Sequence, residues 1–359
     1  MSCLYKYWLK EFLRFFAIIQ LLILVVFVFI DYLSRMDNFL NSDISLIGGL
    51  GYIFLKVPFM FVQLTPAAVL LASITIFGLM NKNNELLAIK SSGISGFSLI
   101  KPALLIGVTL SLLMFFLGET LIPLSMTRAN YIKYSVIRKG HNNLSAGRKD
   151  IWIKSEDKLI HINFFDPVQK SVAGISVTSV RKNFDLAYRI DAKTAYYKDG
   201  KWILEDIIEQ IHIENSMDYD VNIYDKKIVT WAIKPDDLGE IAKKSEEMSF
   251  FELKKYVNKV ELEGYDARSY KVDLNAKIAF PFICIIMVLT GAGTGMRPFA
   301  KNNIPAAIAI GVVIAFLYWA MYGFCLSLGY GAILPPVISA WITNLFFLCF
   351  GILYLINAE

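Results

Sequence analysis

Six long apolar runs interrupt an otherwise mixed chain, and each is near the roughly 20 residues that an α-helix needs to cross a bilayer. They run from about Phe12 to Leu33, Tyr52 to Met80, Phe97 to Leu124, Ile278 to Met296, Ile304 to Leu328 and Ile333 to Ile356. Lys56, Pro58 and Pro66 fall in the first half of the second run. Prolines are tolerated in such helices because neighbouring groups satisfy the freed carbonyls. Three runs lie before residue 127 and three after residue 272, and the stretch between them is polar.

That middle stretch changes period. Ile151 to Ile153, Leu159 to Phe165, Ser171 to Val180, Leu186 to Ala195 and Trp202 to Ile211 are short β-rich segments at turn-like spacing. Asp199-Gly200 between two of them is a type I′ hairpin signal, since both central residues of that turn need positive φ. Strands at this spacing predict a sandwich or jelly roll. A helix follows. Ser249-Phe250-Phe251-Glu252 matches a capping box, Leu253, Tyr256, Val257 and Val260 share one apolar face, and Gly264 is placed to end it. This helix is expected on the membrane surface or beneath the β-domain.

The pattern therefore predicts an α+β membrane protein. Six transmembrane helices in a 3+3 arrangement carry an antiparallel β-domain inserted between helices 3 and 4. The expected parts are residues 1–126 (helices 1–3, with a cytoplasmic loop at 81–96), 127–247 (the β-domain), 248–272 (a connecting interfacial helix) and 273–359 (helices 4–6).

Charge sets the orientation. Lys6, Lys10 and Arg14 precede the first run, Lys82, Lys90 and Lys101 surround the loop between the second and third, and Arg297 and Lys301 lie between the fourth and fifth. The opposite loops hold little beyond Arg35. Basic residues mark the cytoplasmic side, so both termini are expected there and the β-domain in the periplasm of a bacterial inner membrane. The first run is followed by Asp31-Tyr32-Leu33-Ser34-Arg35, without the small-residue site of a cleaved signal, and is read as a retained helix.

Composition agrees. The chain is 56% hydrophobic and 19% charged, against roughly 45–50% and 25% in soluble domains. Its net charge of +5 is interrupted by acids, so no nucleic-acid partner is implied. Cys3, Cys284, Cys325 and Cys349 all avoid the polar middle, which excludes a disulfide there.

Known catalytic patterns are absent from the sequence. There is no G-x-x-x-x-G-K-[ST], H-E-x-x-H, paired C-x-x-C or G-x-S-x-G. His141, His161 and His212 fall in or near the β-segments and read as surface or edge residues; no metal site or cofactor is expected. Gly291-Ala292-Gly293-Thr294-Gly295 lies inside a span, where close helix packing is the expected role. The last three runs have essentially no charged residues at their centres, which disfavours proton or sodium coupling. Energy is then expected from a partner ATPase.

The loop from Asn81 to Ser95 reads as a short amphipathic helix ended by Gly93, between two spans on the cytoplasmic face. Two readings stand for it: a coupling helix seated on an ATPase, or a solvated connector.

Nearly the whole chain resembles the LptF/LptG permease family. The resemblance rests on Glu85-Leu86 followed by Gly93-Ile94-Ser95, on Asp150 to Lys154 and Gly174 to Val177, on Lys234-Pro235-Asp236-Asp237-Leu238 with Met248-Ser249 and Glu252-Leu253, and on Gly329-Tyr330-Gly331 with Leu334-Pro335-Pro336. It is closer to the LptG-like branch. The resemblance implies a permease subunit of the lipopolysaccharide export ABC transporter, with a β-jellyroll in the periplasm. It implies a second, LptF-like permease, a homodimeric LptB-like ATPase that alone binds ATP and Mg, and a periplasmic jellyroll bridge with its membrane anchor (LptA-like and LptC-like). On this reading Glu85, Leu86, Ile89 and Gly93 meet the ATPase, and the chain is not itself an enzyme.

Lipid A is anionic and multi-chained, so its cavity needs an apolar wall and cations at headgroup depth. Ile18, Leu21, Leu24, Val25 and Val28 share one face of the first helix. Arg35 lies at its far end, where arginine is suited to bidentate phosphate binding, and Arg128 and Lys133 follow the third helix. Interfacial snorkelling is the plain alternative for these cations, and helix packing for the apolar face. Some relatives carry two lysines where this chain has Ser34-Arg35 and another at Phe59; Lys56, one turn earlier, is placed to substitute. In the β-domain Trp152, Ile160, Ile162, Phe164, Ile175 and Val177 are candidates for an acyl-chain path, with the inward parity left open because one register step flips every side chain. Alternatives are a permease of another lipid or lipoprotein ABC exporter, and a membrane-anchored assembly scaffold.

Overall fold

The computed structural model describes residues 3–40, 46–93, 100–133, 148–155, 158–166, 171–180, 186–198, 200–212, 219–231, 244–262 and 266–357. Ile94-Ser95, His141, Asp199, Lys234 to Leu238, Gly264 and the side chain of Phe164 lie outside that description. The chain divides into two compact units: a helical one (Met1–Leu33, Ile53–Thr127, Ser245–Glu359) and a second (Ser34–Tyr52, Arg128–Lys244) that contains the strands.

In chain order the first helices are α1 (Cys3–Ser34), α2 (Met36–Leu40), α3 (Leu46–Lys82), α4 (Glu85–Ser91), α5 (Ile100–Glu119) and α6 (Leu121–Ile132). After the strands come α7 (Phe250–Leu262), α8 (Arg268–Ala279), α9 (Ile283–Gly295), α10 (Pro298–Asn302), α11 (Ile304–Tyr330) and α12 (Pro336–Ile356). Among the described residues α1, α3, α5, α11 and α12 are each long and apolar enough to cross a membrane, and the bent pair α8–α9 makes a sixth if it counts as one span. The protein is a multi-pass membrane protein of α+β type.

The fourth apolar run is broken. Between α8 and α9 the axis turns by 50°. Pro281 has no N–H to donate and its ring clashes with the carbonyl four residues back. Ile283 N–H then donates to Phe280 O (3.1 Å) in a tight turn. The Ala279 carbonyl, which an unbroken helix would give to Ile283, accepts instead from Asn344 Nδ2 at 2.6 Å, and Tyr318 Oη donates to Asn344 Oδ1 at 3.0 Å. A buried side-chain pair thus satisfies the acceptor that the bend exposes. Pro123 explains the parallel break between α5 and α6 near Thr120.

The glycine cluster packs as expected. A Cβ on Gly291 would lie 2.5 Å from Ser73 Cβ and 2.9 Å from Leu70 O; on Gly295, 2.7 Å from Phe77 Cβ and 2.9 Å from Ile74 O. These two, four residues apart, seat α9 directly on α3. Gly293 turns the other way, against the backbone of Tyr354 and Leu355 in α12. Because backbone atoms set two of these contacts, a side chain can enter only if the helices separate. Gly295→Val is expected to lose about 1–3 kcal/mol, as overpacked cores do, read as a lower midpoint on denaturation of the detergent-solubilised protein. Gly323→Val is the control, since nothing lies within 4 Å of its Cβ position.

Among the described residues of the second unit six strands form one antiparallel sheet paired in consecutive order: β1 (Arg148–Ser155), β2 (Lys158–Asp166), β3 (Ser171–Val180), β4 (Leu186–Lys198), β5 (Lys201–His212) and β6 (Tyr219–Val229). Consecutive pairing is the order of a meander, so the described strands show no Greek-key exchange. The β4–β5 hairpin closes at Lys198 opposite Lys201, with Gly200 at φ +81° as that turn requires. One sheet face is buried, centred on Ile162, Ile175, Val177, Leu204 and Ile207.

Candidate functional site

The structure separates the candidate residues into three places. The first is α4. Asn81 Nδ2 donates to the carbonyls of Met296 (2.9 Å) and Arg297 (3.0 Å), and Lys301 Nζ donates to Asn84 Oδ1 (2.8 Å). The turn before α4 is thereby tied to the turn after α9. Asn84 takes φ 59°, a left-handed conformation that asparagine tolerates, and starts the helix. Gly93 at φ +80° ends it, with its N–H bonded to Lys90 O.

Within α4 the residues divide by face. Leu86 is 6% exposed and joins the helical core, and Ile89 packs against that core. Glu85 is half-buried and 3.4 Å from Asn83 Nδ2. Leu87 points outward at 64% exposure, beside exposed Ala88 and Lys90. Leu86 and Ile89 are therefore anchors within this chain. Leu87 was not singled out from sequence, although its place beside Leu86 was a readable signal: two adjacent leucines on a short helix cannot both face inward.

The second group is the candidate headgroup cations, which are divided between the two units. Lys56 Nζ lies 2.7 Å from Asp31 Oδ2, and the two side chains are 13% and 17% exposed. Its charge is matched by α1, a partner 25 residues away that no spacing rule reveals. Arg35, in the second unit, sits with its guanidinium 5.7 Å from the centre of the Tyr52 ring. Arg128 is exposed on α6 and Lys133 half-buried beyond it.

The apolar wall on α1 is open. Trp8, Phe12, Phe16 and Gln20, spaced by four, fasten its first half; Trp8 stacks on Phe12 at 5.2 Å and Gln20 Nε2 donates to Phe61 O at 3.1 Å. Only 11% of its most apolar window is buried in the chain. Ile18, Leu21 and Val25 are exposed, while Leu24 and Val28 are half-buried.

The third place is the sheet. Ile160 pairs with Val177 and Ile162 with Ile175, and all four are buried on the same face. Trp152 pairs with His161 across β1–β2 and lies on the other face, 56% exposed, stacked on the imidazole at 4.1 Å. Trp152 therefore leaves the inner set, because its partner across the register is His161 and not Ile160 or Ile162. The inner face also carries an ion pair that sequence reasoning missed, with Lys227 Nζ 2.6 Å from a buried Glu209 carboxylate. On the neighbouring register Lys226 donates to Glu205 (2.8 Å), which holds that carboxyl below and the amine above their ordinary pKa values. Both pairs fasten β6 to β5. β6 is the last strand of the sheet, and Val221, Ile223 and Ile228 on it are exposed.

The comparisons agree on one family. The model of the lipopolysaccharide export system permease LptF/LptG matches residues 6–357. The LptG permease of Escherichia coli strain K12 is 23% identical over 321 residues, covering 87% of this chain and 85% of its own length. The LptG permease of Haemophilus influenzae is 21% identical over 289 residues, covering 79% of this chain and 78% of its own.

Proposed function

Since the chain belongs to the LptF/LptG family of lipopolysaccharide export permeases and is a permease subunit of that export system, we propose that it is the LptG-like half of a two-permease ABC transporter. Its helices cross the inner membrane three times on each side of the β-domain, with both termini cytoplasmic. The second permease is LptF-like. A homodimeric LptB-like ATPase beneath them binds ATP and Mg and supplies the energy. The transporter takes lipopolysaccharide laterally from the outer leaflet and passes it through the β-domains to an LptA-like bridge anchored by an LptC-like subunit.

The observation that carries this reading is α4. A membrane chain without a nucleotide-binding loop presents a short helix between two apolar helices, pinned by Leu86 and by side-chain bonds on Asn81 and Asn84, with Leu87 exposed. The open flank of α1 supports a lipid-facing wall. Arg35, Arg128 and Lys133 remain headgroup candidates; Lys56 serves α1 first, through Asp31.

On this reading the sheet is the family's periplasmic β-domain, and its apolar face takes acyl chains. β6 is the edge for strand addition by the bridge. A photoreactive residue at Ile160 or Ile162 should capture lipopolysaccharide only when ATP turns over in the full complex. One placed along Tyr219–Val229 should capture the bridge protein. If the inner positions never capture lipid under turnover, the domain is a docking platform and not a path.

A further inference from the structure

The first turn of α7 leaves four N–H groups without intrahelical partners, as every helix does. Its own capping box meets two needs: Glu252 N donates to Ser249 Oγ (3.2 Å) and Ser249 N to Glu252 Oε2 (3.0 Å). The first intrahelical bond is Leu253 N to Ser249 O (2.9 Å). Phe250 and Phe251 N–H lie between and get nothing from the box. Both donate to the carboxylate of Glu119, at 2.6 and 3.5 Å, which lies 131 and 132 positions earlier in the chain. A carboxylate there also meets the positive end of the helix dipole. The Phe115 and Phe250 rings, 6.2 Å apart, pack the same junction.

Glu119 is the last residue of α5, a helix of 20 residues and so about 30 Å long. α5 lies tightly on α9, since a Cβ on Gly107 would be 3.0 Å from Ile285 Cα. Its other end follows α4. α7, in turn, is the first α-helix after the sheet among the described residues, and it is held to α8 through Leu253, Tyr256, Val257 and Val260 with Tyr270 and Leu274.

We propose that Glu119 is a positioning residue for transport: it ties the far end of α5 to the start of α7, so that displacement of α4 by the ATPase is delivered to the segment leading out of the β-domain. The inference rests on the coupling role proposed above for α4. It assigns Glu119 no contact with lipid or nucleotide.

The test uses the full complex in lipid nanodiscs, with wild type, Glu119→Ala and Glu119→Gln. Hydrogen exchange is read over residues 250–253, with and without a non-hydrolysable ATP analogue, alongside lipopolysaccharide released per ATP hydrolysed. In Glu119→Ala exchange at Phe250 should rise about tenfold, the scale of one lost charge-assisted hydrogen bond, and its response to nucleotide should vanish. Release per ATP should fall severalfold while ATP hydrolysis persists. Glu119→Gln keeps an acceptor and should recover part of both. The tie is refuted if exchange at 250–253 ignores either the substitution or nucleotide, or if release per ATP stays at the wild-type value. A proportional fall in hydrolysis and release refutes it too, and marks a merely structural cap. Wild-type complex that hydrolyses ATP without releasing lipopolysaccharide would instead overturn the transport reading itself.

Discussion

If α4 is the coupling helix proposed above, Leu87→Asp should abolish productive contact with the ATPase while leaving the permease inserted and folded. Leu87 is the exposed large apolar side chain of α4, at 64%, and it is not part of the chain's own core. If Leu87 is a central anchor of that contact, its loss is worth about 2 kcal/mol, so co-purification of the ATPase should fall roughly thirtyfold. Lipopolysaccharide release should fall with it. The neighbouring substitution must behave differently. Leu86 is buried in the helical core, and Leu86→Ala should cost about 2–5 kcal/mol of stability, read as a lower denaturation midpoint, with the surviving folded protein still recruiting ATPase. Glu85→Lys, which reverses a half-buried charge at the start of α4, should weaken recruitment without destabilising the chain. If Leu87→Asp recruits ATPase normally, α4 is a connector and the coupling reading fails.

That pair of leucines also shows what the sequence reveals and what it withholds. Apolar run length, the Asp199-Gly200 hairpin, the Ser249–Glu252 box and the small residues at 291–295 are local signals, and the described parts of each take the expected form: Gly200 at φ +81°, the reciprocal cap bonds, and α9 seated on α3. What could not be read depends on groups that meet across long separations. Pro281 was visible, yet an apolar run continued past it, and the bend rests on Asn344 supplying a donor 65 residues later. Sheet parity needed the β1–β2 register, which moved Trp152 to the outer face. Face assignment within a seven-residue helix is equally beyond periodicity: α4 is too short for a moment to choose between Leu86 and Leu87. Glu119 escaped for a related reason, because a carboxylate at the end of an apolar run looks like an interfacial charge until the N–H groups it serves are in place.

Lys56 and Asp31 provide the sharpest separation between a ligand-binding cation and an internal pair. Both side chains are largely buried, their charged atoms are 2.7 Å apart, and they join α1 to α3. Removing one member of a buried pair costs about 3–5 kcal/mol, whereas replacing both with apolar groups of similar volume is often nearly neutral. Asp31→Leu and Lys56→Met should therefore each lower the denaturation midpoint strongly, and the double variant should return close to wild type. Lipopolysaccharide crosslinking at α1 should follow the same order: weakened in each single variant through loosening of α1, restored in the double. A headgroup cation gives the opposite result. Lys56→Met would then weaken crosslinking with little loss of stability, Asp31→Leu would strengthen it by releasing the amine toward phosphate, and the double variant would stay as weak as Lys56→Met. The coupling free energy from this cycle decides between the two, because contact with an external ligand cannot restore stability when both partners are gone.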